Sequence, residues 1–100
     1  SLISPPPQLR ALTPMIIDVQ GVQAYINVGL ADSVSNGDKF GVWDKGRVLT
    51  DPNTGLVLGR ALARRVGVVQ VEQVLSDRLS VVRILEGADQ VRSEFDIRAE

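Results

Sequence analysis

The sequence predicts an all-β chain: one small, partly open β-barrel of the SH3-like kind with five to seven short strands. Three observations carry this. Apolar side chains alternate with a period of two in Ala24–Val28 and again around Phe40 and Val42, the mark of a half-buried strand. The turn sequences Ser35-Asn36-Gly37-Asp38 and Asp51-Pro52-Asn53-Thr54-Gly55 separate three apolar runs between Ala24 and Leu58. Turn signals then recur about every 8–12 residues, the spacing of small sandwiches and barrels.

The 100 residues fit one compact domain, and an apolar fraction of 44% is enough for a core. The expected organisation is a Pro-rich linker or strap over residues 1–14, a β-barrel-like domain over 15–92 and a polar C-terminal tail over 93–100. Pro5-Pro6-Pro7 favours extended polyproline II and excludes helix, while Leu2, Ile3, Leu9 and Leu12 offer side chains to pin the strap. Met15 to Gln20 reads as a first strand, with Met15, Ile17 and Val19 opposite Ile16, Asp18 and Gln20. Gly21 breaks it before Gln23 to Val28, close enough for a hairpin. In the next strand Phe40 and Val42 face one way, and Lys39, Gly41 and Trp43 the other. Lys45-Gly46 reverses the chain before the short run Arg47-Val48-Leu49.

Two readings compete over Leu56 to Leu75. Leu58, Leu62, Val66 and Val69 are spaced four, four and three apart, a helical stripe, and residues 60–65 are good helix formers. Gly59, Gly67 and the valines between Val66 and Val74 oppose it, because branched side chains favour strands. The preferred reading is a strand at Leu56–Leu58, a connection or strand extension at Arg60–Arg65 and a strand at Val66–Val74, with helix at 60–65 as the alternative. Ser76-Asp77-Arg78 turns the chain into a strand over Leu79–Leu85. Glu86-Gly87-Ala88-Asp89 turns it again, and Val91 is expected to open a short closing strand. Phe95 and Ile97 are the tail's two residues able to dock.

The chain has neither cysteine nor histidine, so thiolate chemistry and the commonest general base and metal ligand are missing. Eleven basic residues against twelve acidic ones give a net charge of -1, without the basic excess that phosphate contacts require, so no nucleic-acid partner is expected. No run reaches transmembrane-helix length. Asp32 to Gly37 begins like a calcium loop, but Val34 stands at its third position and Trp43 at its twelfth, so no EF-hand forms. Asp18, Asp32, Asp38, Asp44 and Asp51 are acid–base candidates by type, yet most lie at turns, where carboxylates bond local backbone. No cofactor, metal or catalytic set is expected.

The strands and turns Ala24-Tyr25-Ile26-Asn27-Val28-Gly29, Val34 to Trp43, Gly46 and Asp51 to Gly59 resemble the C-terminal domain of flagellar assembly protein T. Similar domains end other bacterial envelope proteins, including relatives of the curli-secretion channel lipoprotein. The resemblance covers roughly Ile17 to Arg92, running on through Val68–Val74 and Ser80–Gly87, with Gly87-Ala88-Asp89 in place of the family's late Gly-Asp turn. It implies a small β-barrel-like module, one piece of a longer protein, in the periplasm of a Gram-negative bacterium. It implies no catalytic residues. The implied role is a non-enzymatic protein–protein interaction module in an envelope assembly, such as the ring around the flagellar basal body, with envelope or basal-body proteins, or further copies of itself, as partners. The alternative is a peptidoglycan- or glycan-binding module of an envelope lipoprotein.

Tyr25 and Trp43 are the candidate partner-binding residues. If Ala24, Ile26, Phe40 and Val42 point inward, both aromatics point outward. Pairing of their two strands would then bring them into one patch, the kind of rigid apolar surface that anchors partners. The competing expectation is that the Pro-rich strap or the C-terminal tail covers Trp43.

Overall fold

The computed structural model describes residues 13–100. Eight strands follow one another: β1 (Ile16–Gln20), β2 (Gln23–Ile26), β3 (Lys39–Asp44), β4 (Val48–Thr50), β5 (Val57–Arg60), β6 (Arg64–Ser76), β7 (Leu79–Glu86) and β8 (Asp96–Ala99), with one 3-10 turn at Leu30–Asp32. Six of them form one antiparallel sheet in the order β1-β2-β7-β6-β3-β8 and β4-β5 is a separate hairpin, eight strands in all against the expected five to seven. The all-β, partly open barrel is thus the observed fold. Residues 61–63 connect β5 to β6 without helix. Leu62 is 89% exposed, so the apparent helical stripe buries nothing there.

The sheet curls until its edges meet at one end. Ile16 N–H donates to the Phe95 carbonyl (2.9 Å), Glu94 N–H to the Ile16 carbonyl (2.7 Å) and Ile97 N–H to the Pro14 carbonyl (3.1 Å). Met15 bridges Asp96. Among the described residues the rest of the two edges, Asp18–Gln20 and Arg98–Ala99, does not join, which leaves the barrel partly open.

This closure corrects the expected boundary at residue 92. β8 pairs with β3 in full register from Phe40↔Ala99 to Trp43↔Asp96, and Ile97 is buried. Residues 93–100 therefore belong to the domain. One apolar side chain in a polar segment suffices when a neighbouring strand edge supplies the hydrogen bonds. Val91 is buried too, but in the irregular segment before β8 rather than in a closing strand. The expected strap falls almost wholly on residues 1–12, outside the described residues.

The core is aliphatic: Ile16, Ile26, Val42, Val69 and Val82 have no exposed surface, and Phe40 packs against the cluster. Ala24, Ile26 and Val28 point inward as their alternation predicts. The first strand differs from its expected phase. Ile16 is buried while Ile17 is 47% exposed, and Val19 packs on the core. A bulge between Ile16 and Asp18 shifts the register by one residue, which places 16 and 19 on the same face. Ser80 is the one buried polar side chain among the described residues; its hydroxyl donates to the Val28 carbonyl at 2.8 Å.

The turn at residues 51–55 is built as its sequence suggests. Asn53 N–H donates to Asp51 Oδ1 (2.8 Å) and Gly55 N–H to the Asp51 carbonyl (2.8 Å). Gly55 has φ +75° with open space where a side chain would stand. Gly55→Val should therefore cost only backbone strain, about 1–3 kcal/mol, read as a lower denaturation midpoint at unchanged slope. An unchanged midpoint would count against the left-handed conformation.

Candidate interaction surface

Trp43 stands on the outer face of β3. A Cβ built on Gly41 would lie 3.1 Å from Trp43 Nε1, so the ring sits over a strand position that has no side chain. Arg98, opposite Gly41 on β8, places its guanidinium carbon 4.4 Å from the ring centroid, a cation–π contact. Arg65 faces Trp43 from β6 and forks onto the Glu100 carboxylate at 2.5 Å and 3.3 Å. That hydrogen bond, before the charge itself, holds the Glu100 carboxyl below the ordinary carboxylate value. The C-terminal strand thus half-covers the tryptophan, as one of the two expectations had it.

Tyr25 also points outward and is half-buried. It does not share a patch with Trp43. β2 lies between β1 and β7, and β3 lies between β6 and β8. Around a closing ring of six strands, β2 and β3 are three steps apart in either direction, so the two aromatics stand on opposite sides of the barrel. The long β6–β7 hairpin intervenes, a pairing that alternation within β2 and β3 cannot reveal.

The structure brings forward a surface that sequence reasoning missed. β4 and β5 pair with each other and, among the described residues, with no strand of the main sheet. They form an arm whose apolar side chains lie in the open. Leu56, Val57 and Leu58 are 64%, 68% and 70% exposed, and Val48 and Leu49 are also exposed. Three consecutive apolar residues usually mark a strand buried on both faces. Here both faces are bare, and a lone two-stranded hairpin is marginal in water, so the arm would gain from packing on another surface.

The arm is fixed at its base. Gly46 N–H donates to Asp44 Oδ1 (3.1 Å), Arg60 Nη1 to the Gly46 carbonyl (3.0 Å) and Ala61 N–H to the Arg47 carbonyl (2.9 Å). Beside the base, residues 45–47, Leu62 and Phe95 border an open cleft of about 810 Å³ lined by charges of both signs.

The turn aspartates behave as expected. Asp32, Asp38, Asp44 and Asp51 each accept a backbone N–H within three residues. Among the described residues no three acidic side chains converge as a metal site, and no helix is long and apolar enough to cross a membrane. No family model matches this chain, and no curated protein is similar to it.

Proposed function

We propose that the chain is a non-enzymatic protein–protein interaction module of a periplasmic envelope assembly in a Gram-negative bacterium, the flagellar basal-body ring being the example its sequence suggests. The observation that carries the interaction reading is the free β4–β5 arm with Leu56, Val57 and Leu58 uncovered. Exposed apolar residues on a fixed hairpin match how a partner surface is engaged, with open strand edges to add backbone bonds. The compartment and the assembly rest on the resemblance of residues 17–92 alone. The glycan-binding alternative needs an aromatic-lined groove. Tyr25 and Trp43 stand apart, and Arg98 already occupies a face of the indole.

Capture from envelope extracts tests the reading. The chain should recover envelope proteins, and Leu58→Asp should lose them with an unchanged melting temperature, since the residue is 70% exposed. Trp43→Ala should keep capture and lose roughly 0.5–1 kcal/mol of stability with the cation–π contact. If Trp43→Ala folds normally but loses capture, the partner sits on the outer face of β3 instead. Saturable binding to peptidoglycan fragments without protein capture would favour the glycan-binding alternative.

A further inference from the structure

The arm has a counterpart on its own chain, at the other end of the barrel. A pocket of about 390 Å³ opens there, with an apolar lining that includes Val34, Phe40 and Ala99. Among the described residues its only charged lining groups are Asp32 and Asp38. The volume lies in the range of sites that take apolar groups, about 300–1,000 Å³. No residue of the arm contributes to it.

Position explains why the arm does not fill it. β3 carries Phe40 at the pocket end and Asp44 at the arm end. Four residues of strand, about 13 Å, separate them.

Charge divides in the same way. Residues 45–63, the arm and its base, hold three basic side chains and one acidic. The remainder holds eight basic and eleven acidic. A net charge of -1 therefore conceals a positive arm segment and a negative body, with two carboxylates beside the pocket. Such a distribution favours arm-to-body encounters and opposes arm-to-arm contact.

From this we infer that copies of the chain associate head to tail, with the β4–β5 arm of one seated in the Phe40 pocket of the next. The inference rests on the interaction-module reading and names a second copy of this chain as the partner. Because donor and acceptor surfaces differ, the contact is heterologous and propagates beyond a dimer into a ring or a row. A lipid surface fits less well. The arm's tip is Asp51-Pro52-Asn53, so insertion tip-first would bury a carboxylate and an amide before any leucine.

Sedimentation over a wide concentration range, joined to cysteine trapping, tests this. The unmodified chain should form species larger than a dimer as concentration rises. Leu58→Asp should weaken association at least tenfold, and so should Ala99→Trp, which fills the pocket from its exposed rim. The absence of native cysteine makes trapping clean. Leu58→Cys mixed with Ala99→Cys should give an oxidised 58–99 pair.

A 58–58 pair as the main product would overturn the head-to-tail arrangement. So would a chain that stays monomeric at every concentration. If that monomer still captures envelope proteins through Leu58, self-association fails while the interaction-module reading stands; if capture fails as well, both fall. Leu58-dependent binding to phosphatidylglycerol vesicles by a monomeric chain would overturn the inference in favour of a lipid surface.

Discussion

Gly87→Ala is expected to destabilise the domain by about 3–5 kcal/mol, well beyond the same change at Gly55. The two glycines make a matched pair. Gly55 has φ +75° and Gly87 φ +78°, so a side chain meets nearly the same left-handed penalty at both, about 1–2 kcal/mol. Their surroundings differ. A Cβ at Gly55 meets nothing within 4 Å, whereas at Gly87 it would stand 2.0 Å from the Val66 carbonyl oxygen and 3.0 Å from Gly67 Cα. Both obstacles are backbone, so no rotamer change relieves them. The carbonyl of Gly87 also accepts Gln90 N–H (2.8 Å) and Val91 N–H (3.0 Å), the turn that seats buried Val91 in the core. Moving Gly87 to make room would disturb that turn. For a domain of this size the loss should lower the melting temperature by roughly 15–30 °C, against about 4–15 °C at Gly55. Equal losses at the two sites would mean that the close approach of Gly87 to β6 is absent in solution.

This pair also shows what the sequence could and could not tell. Gly55 was readable because its turn is local: Asp51, Pro52, Asn53 and Thr54 fix the chain's path within five residues. Gly87 was readable as a turn but not as a close packing point, because the atom it would strike belongs to β6, some twenty residues earlier. The same division runs through the fold. Alternation placed Ala24, Ile26, Phe40 and Val42 inward correctly, since the face of a strand residue is a local property. It grouped Ile17 with Val19 and set Ile16 opposite, a phase that the bulge breaks, because a bulge is settled by the partner strand. It could not place Tyr25 relative to Trp43, since strand order depends on how β6 and β7 insert between them. The arm was hidden for a similar reason. Leu56, Val57 and Leu58 read as one more strand, and only the completed sheet shows that they stand exposed.

Ile97→Ala is expected to cost about 2–5 kcal/mol, the effect of a core truncation, where a fraying tail would give changes within about 0.5 kcal/mol. Ile97 is 3% exposed, and its N–H reaches the Pro14 carbonyl across the seam that closes the barrel. Loss of the side chain leaves a cavity beside that seam and loosens β8 from β3. Trp43 reports the loosening, because Arg98 and Glu100 come from the same strand end and flank its ring. Its emission should shift to the red in Ile97→Ala before the whole domain unfolds. Acid should act on the same seam in the unmodified chain. Arg65 depresses the folded-state pKa of Glu100 below its ordinary value of 4.5. The contribution of this pair is therefore complete above that value and is lost as pH falls through the lower, folded-state value. Glu100→Gln should remove this component of the acid response of Trp43 emission and show, already at neutral pH, the emission that the unmodified chain reaches on losing this pair in acid. An Ile97→Ala protein with the parent's melting temperature and emission would show that β8 does not close the barrel.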